Sequence, residues 1–402
     1  MKKQRAYKFR FYPTQEQVEQ LAKEFGCARF VYNRALLEKQ YAYQQWGVHL
    51  SAQFDISKHI TQYKKTEQYQ WLNEVTAGCL TQKLMDVDKA YENFFKGRAK
   101  FPRFKKKDHA QSVRYALDQR HIAKNYRPSE LLKLPKLGSL NITWSKRPAG
   151  IPKMATVSKT ASGKYFVSFA CEVDIDALPK TGLTIGVDIG IKDVIVTSDG
   201  FKSGAPSVTY SYARQLKHEQ KSLSRKTKGS NRYQDQRLVV AKIHEKITNS
   251  RRHFLHELTT NLVRRYDVIK IEDLNVRGMM ANKKLSKAVA DVGIFELTRQ
   301  LEYKAAWYGK DVHKISRWFP STKTCSDCGN VQVMKLSDRI YNCPVCKLSI
   351  DRDLNAAINI KTAERVERGV SNQLIGEAKA SQNKGILKRE SKKLNVACLE
   401  QA

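Results

Sequence analysis

Hydrophobic and polar side chains change their rhythm several times along this chain. Residues 1–12 alternate basic with aromatic or apolar positions, with Tyr7, Phe9 and Phe11 two apart, and so predict a strand. Pro13-Thr14 then opens a helix, with Thr14 and Gln17 at capping-box spacing. From there to about residue 99 the pattern is helical. Leu80, Leu84, Val87, Tyr91 and Phe94 recur at steps of four and three, which puts one apolar face on a packed helix. At Phe101-Pro102 the rhythm changes, and residues 112–180 read as short strands broken by turns. Val167, Phe169, Cys171 and Val173 alternate after a turn at Ala161-Ser162-Gly163. This block predicts a small β-barrel that residues 1–12 can complete.

A third block begins with the apolar strand LTIGVDIG at Leu183, followed by a second strand from Val194 to Thr197 and a tight turn at Asp199-Gly200. A basic helical tract covers about 213–265, with a break at Lys228-Gly229-Ser230. Then come a strand at Val268–Glu272, a helix over about 291–309, a short strand at Val312–Ile315 and a last helix from Leu354 to about Arg368. Beyond Ser371 the chain is polar and weakly patterned, which predicts a mobile tail.

Charge narrows the partners. The 402 residues carry 73 Lys+Arg against 39 Asp+Glu, a formal net charge of +34. Such an excess favours a polyanion, because each cation placed at a phosphate releases a condensed counterion. The basic run Lys105, Lys106, Lys107 and the pair Arg251, Arg252 are candidate phosphate contacts. His253 and His256, beside that pair, read as polar packing or phosphate contacts rather than as metal ligands. No apolar run approaches the ~18 residues of a membrane span. The N-terminus also lacks the apolar centre of a signal peptide. A cytoplasmic protein is expected, with Cys27, Cys79, Cys171 and Cys398 as reduced thiols.

Chemistry concentrates between Cys325 and Asn359. Two CxxC pairs, Cys325/Cys328 and Cys343/Cys346, have the spacing of a structural zinc ribbon. All four ligands are thiols, so no coordination position is left open for catalysis. The acidic run DRDLNAAINI follows at once, from Asp351. Three carboxylates stand at element ends: Asp188 and Glu272 each close a strand, and Asp353 opens the last helix, where the helix dipole favours an anion. A carboxylate at a buried strand end is costly unless it is paired or holds a metal. Three of them together suit a pair of Mg²⁺ ions and hydrolysis of a phosphodiester by in-line displacement. Asp188 is expected to bridge both ions, with Glu272 and Asp353 holding one each. Asp273 could replace Glu272, and either Asp351 or Asp353 could merely cap the helix.

IGVDIGIKD, the strand ending IEDL, QLEYKAAWYG, FPSTKTCSDCG, YNCPVCK and DRDLNAAINI together resemble the TnpB family of bacterial and archaeal insertion sequences, relatives of the compact type V CRISPR effectors. KFRFYPTQEQ, CARFVYNRAL and AYENFFKGRAKFPRFKKK extend the resemblance over nearly the whole chain. The resemblance implies a multidomain α/β protein. Its RNase H-like (RuvC) nuclease domain would cover 181–324 and 347–370, with the zinc ribbon inserted at 325–346. A helical recognition domain would lie at 13–99, a wedge-like β-barrel at 1–12 and 100–180, and a flexible basic tail at 371–402. It implies an RNA-guided, Mg²⁺-dependent DNA endonuclease with Asp188, Glu272 and Asp353 as catalytic acids. Its partners would be a guide RNA from the transposon end and double-stranded target DNA beside a short transposon-adjacent motif, with base pairing reading the sequence. The chain is expected to act as a monomer with its RNA. Two other readings compete: an RNA-guided repressor that does not cut, and a strand-transferring transposase or its accessory protein.

Overall fold

The computed structural model describes residues 2–107, 110–117, 132–146, 148–205, 208–335 and 337–363. The tail expected from residue 371, and Cys398, lie outside the described residues. The chain forms two compact units, one of residues 4–173 and one of the described residues from Asp174 on together with Lys2 and Lys3.

In the first unit, β1 (Lys2–Phe11) leads into α1 (Gln15–Trp46). The predicted capping box forms: the Thr14 hydroxyl accepts from the Gln17 amide, and the Gln17 side chain accepts from the Thr14 amide. A π-helical turn at Ala52–Ile56, α2 (Ser57–Tyr63), a 3-10 turn at Glu67–Glu74 and α3 (Ala77–Phe95) follow. The apolar face predicted on α3 is the buried one: Leu80, Leu84 and Val87 pack with Val31, Ala35 and Leu36 of α1.

The strands that follow are β2 (Gln111–Ala116), β3 (Leu132–Leu134), β4 (Gly138–Leu140), β5 (Ile142–Thr143), β6 (Pro152–Lys159) and β7 (Tyr165–Asp174). Five strands share one sheet in the order β2-β6-β7-β1-β5, so the N-terminal strand does join the later ones. β3 and β4 form a separate hairpin. The alternation in β7 buries Val167, Phe169, Cys171 and Val173. From β1, the Phe9 ring meets Phe169 and Trp144 at 6.0 and 4.9 Å between centroids.

The second unit is built on a four-stranded sheet. Its elements are β8 (Thr184–Asp188), β9 (Val196–Thr197), α4 (Val208–Ser224), α5 (Asn231–Arg265) and β10 (Val268–Glu272). Then come α6 (Val276–Ala281), α7 (Ser286–Val292), α8 (Ile294–Tyr308) and β11 (Asp311–Ile315). The hairpin of β12 (Ile340–Asn342) and β13 (Ser349–Asp351) runs without a linker into α9 (Arg352–Thr362). Sheet order is β11-β10-β8-β9, with β10 parallel to both neighbours and β9 antiparallel to β8. The single helix expected over 291–309 is interrupted because Gly293 adopts φ +71, which ends α7 and opens α8. α9 ends at Thr362 with Ala363 as its C-cap, and residues 364–368 of the expected helix lie outside the described residues.

Strand parity gives this sheet two different faces. Ile185, Val187, Ile269 and Ile271 point into a core shared with Leu255, Leu258 and Leu262 of α5 and Leu297 and Leu301 of α8. The intervening positions, Gly186 and Asp188 on β8 and Lys270 and Glu272 on β10, point to the opposite face. That face is crossed by α9.

Candidate active site and metal centre

β8 and β10 pair in parallel with Val187 opposite Ile271, and the same offset sets Glu272 level with Asp188. Neighbouring strands lie about 4.8 Å apart. Both carboxylates therefore leave the strand ends side by side, on the α9 face. Helix α9 approaches that face over Gly186. A Cβ built there would lie 2.1 Å from the Ala357 carbonyl oxygen and 2.4 Å from the Lys361 nitrogen. Only glycine lets the helix backbone rest on the strand, and this contact brings the first turn of α9, with Asp353, towards Asp188.

The electrostatics report the convergence. Burial, followed by the charges of Glu272 and Asp353, pushes the Asp188 carboxyl up to about 7, while Arg352 pulls partly back. Burial also raises Glu272, which accepts a hydrogen bond from the Ser321 hydroxyl. Asp353 accepts from the neighbouring Arg352 guanidinium at 3.2 Å. The two acids of the DRD run differ in their engagement. Asp351 is the helix cap, accepting from the amides of Asp353 and Leu354 at 3.1 Å each, and it pairs with Lys202 at 2.7 Å. Burial works against its charge, but Lys202 and those amides outweigh it and hold its pKa below the ordinary carboxylate value. Asp273 is engaged by Arg317.

The four cysteine sulfurs lie within 4.8 Å of one another, with Cys325–Cys346 at 3.6 Å and Cys328–Cys343 at 3.5 Å. Tetrahedral zinc with Zn–S bonds near 2.3 Å requires sulfurs about 3.8 Å apart, so the cluster fits that ion. Tyr341, fully buried beneath it, donates its hydroxyl to the carbonyls of Lys323 and Asn330 and so joins both turns.

The sequence reading missed how this ribbon is tied to the acids. Asn355 and Asn359, one turn apart on α9, hold the turn leading into the ribbon. Asn355 donates to the Thr324 carbonyl and accepts from the Ser326 amide, and Asn359 donates to the carbonyls of Ser321 and Thr324. Ser321 is in turn the partner of Glu272. Two buried amides in an otherwise apolar helical stretch were the signal in the sequence. Zinc removal or Cys343→Ser is therefore expected to lower the melting temperature by several degrees and to weaken any activity that needs Glu272. Metal analysis should give one zinc per chain, and melting with and without a zinc chelator checks the link.

The basic candidates divide. Lys106, Lys107 and Arg252 are exposed. Lys105 instead sits over the Tyr32 ring, 3.9 Å from its centroid, while its backbone is clamped on both sides by the Asn33 amide. Arg251 pairs with Asp291 at 3.1 Å. His253 pairs with Glu257, and His256 packs beside Lys304, so neither joins a metal cluster among the described residues. Cys27, Cys79 and Cys171 are buried free thiols, each pushed up by burial. Among the described residues no helix is long and apolar enough to cross a membrane.

Comparison with known proteins gives this mixed α/β chain, with its four-cysteine cluster close before α9, a family. The family profile described as "Probable transposase", that of OrfB of IS605, matches residues 168–283, and a Cas12f1-like TNB domain matches 295–360. A "Helix-turn-helix domain" profile of the same OrfB group matches 1–47, although here that stretch is a strand and one uninterrupted helix. A Streptomyces pristinaespiralis protein provisionally named an RNA-guided DNA endonuclease is 39% identical over 89% of this chain and 89% of its own length. Escherichia coli K12 InsQ, with the same provisional name, is 30% identical over 90% of this chain and 93% of its own. The fold is shared with Cas12f1 solved with its single-guide RNA and target DNA, at a TM-score of 0.50 and 12% identity, covering 91% of this chain and 100% of that one. The chain belongs to the TnpB family.

Proposed function

We propose that this protein is an RNA-guided DNA endonuclease that hydrolyses phosphodiester bonds with a two-metal site at Asp188, Glu272 and Asp353. Residues 181–324 and 347–370 would be its RuvC-like nuclease domain, with the ribbon at 325–346 as an insertion. The five-stranded sheet would be the wedge, and α1–α3 the recognition domain. One observation carries the reading: Asp188 and Glu272 emerge level from adjacent parallel strands, on the face that Asp353 reaches from α9.

The donor set suits Mg²⁺: burial and then the charges of two further hard carboxylates raise Asp188, and a divalent cation would relieve that cost. Bound magnesium would supply a nucleophilic water of lowered pKa and offset charge on the leaving 3′ oxygen. The chain itself supplies position. Asp188 occupies the centre, the Ser321 hydroxyl fixes the rotation of Glu272, and the Asp351 cap holds the helix turn that presents Asp353. The Arg352 guanidinium, beside Asp353 and felt by Asp188, adds positive charge where phosphate would lie. The excess of cations elsewhere supports a guide RNA and double-stranded target DNA as partners, cut beside a short transposon-adjacent motif.

The test is to sequence the RNA that co-purifies with the protein and to offer a matched double-stranded target with Mg²⁺. A discrete RNA running past the transposon boundary, with guide-dependent cutting, is expected. Asp353→Ala should abolish cutting. Asp351→Ala should only weaken it, because a lost cap costs about 1 kcal/mol. Random cellular RNA and an uncut target would refute the reading, and binding without cutting would favour the repressor.

A further inference from the structure

Far from the acids in sequence, the first unit contains a cleft of about 890 Å³, within the size range of small-ligand sites. One wall is the face of α1 that carries Gly26, Arg29 and Phe30; the 3-10 turn supplies Tyr69 and Trp71, and Lys106 stands at the rim. Three half-buried rings form its aromatic side. Phe30 lies 5.1 Å from Trp71 at 69° and 5.5 Å from Tyr69, centroid to centroid.

Gly26 is the unexplained residue. Glycine inside a helix costs about 1 kcal/mol relative to alanine. Its φ is not positive, and an added Cβ would meet nothing within 4 Å, so neither backbone strain nor packing calls for it. What it provides is a bare floor to the cleft, one helical turn before Phe30 on α1. The charges around that floor are unevenly committed. Arg34 is tied to Glu38, and Lys23 to Glu74, the acid that also lines the cleft. Arg29 and Lys106 have no hydrogen-bond or ion-pair partner among the described residues, so two free cations border the aromatic side of the cleft.

We infer that this cleft holds one unpaired nucleotide of a single-stranded nucleic acid, its base over Gly26 against Phe30, Tyr69 and Trp71 and its phosphate at Arg29 and Lys106. A base stacked on an aromatic ring typically changes affinity roughly five- to hundredfold, without regard to sequence. The site rests on the reading that the protein binds RNA and DNA, and the strand that fills it is either the guide RNA or the opened DNA.

The test uses the full chain carrying Asp188→Ala, so that no cutting step enters. Single strands substituted with 4-thiouridine (RNA) or 4-thiothymidine (DNA) are crosslinked at about 0.5 M salt, where phosphate-only binding is suppressed, and the attachment sites are mapped. Crosslinks at Phe30, Tyr69 or Trp71 are expected. RNA crosslinks would place the guide there, and DNA crosslinks the opened strand. Gly26→Leu and Arg29→Glu should each lower that crosslink about tenfold. Gly26→Ala should raise the melting temperature while lowering the crosslink, which a purely structural glycine would not do. Unchanged crosslinking in these variants, or attachment only elsewhere, would overturn the site. Crosslinking that persists in a protein never found to cut would retain the cleft and reject the nuclease reading.

Discussion

Gly186→Ala is expected to be among the most damaging single substitutions in this protein, although it adds one methyl group. The new Cβ would fall 2.1 Å from a carbonyl and 2.4 Å from an amide nitrogen of α9. These are backbone atoms with no rotamer by which to yield. Overpacking of a close-packed interior costs about 1–3 kcal/mol when side chains can adjust. Here the whole helix must lift, so a loss at or above the upper end of that range is expected. Because α9 carries Asp353 and, through Asn355 and Asn359, the turn leading into the ribbon, cutting should fall to background even where the protein remains folded. Thermal melting and a matched-target assay check both parts. A variant as stable and active as the parent would mean that α9 does not rest on β8 as described.

The second large effect comes from the burial of Asp188 and, after it, from the neighbouring acids Glu272 and Asp353. Asp188 sits near 7 when folded, against about 3.9 when unfolded. Between about pH 4 and 7 the folded protein therefore holds a proton that the unfolded chain releases. Stability falls as pH rises through this window, and the full penalty remains above it. Asp188→Asn removes the charge. In zinc-loaded protein without magnesium, it should match the parent near pH 4.5 and exceed it at pH 8 by on the order of a few kcal/mol. Magnesium should stabilise the parent and leave the variant unchanged. A variant less stable than the parent at pH 8 would mean that Asp188 is not held buried beside Glu272 and Asp353. This is the expected signature of a site in which stability is given up for metal binding.

Much of this was legible in the sequence, and for physical reasons. Elements with a clean period, such as β7, α3 and β10, fell where their alternation placed them, because burial of one face fixes both type and register. The ribbon was legible because tetrahedral zinc tolerates few spacings. Asp188, Glu272 and Asp353 stood out as charges at the ends of apolar runs, and strand parity brings the first two to one face. What could not be read were interactions between residues distant along the chain. Gly186 is just another strand glycine until α9 lies on it. The choice between Asp351 and Asp353 depends on which carboxylate turns back to cap the helix, and Lys202, 149 residues away, is part of that answer. Lys105 and Arg251 looked like surface cations because Tyr32 and Asp291 are remote in sequence.

The central claim is that Asp188, Glu272 and Asp353 together hold the metals that cut DNA. Anomalous scattering from Mn²⁺ bound to crystals of the zinc-loaded protein tests it most directly. A pair of manganese peaks among those three carboxylates, with Asp351 still bonded to the α9 amides and Lys202, is the predicted result. Manganese bound at Asp351 or Asp273, with none at Asp188, would contradict it.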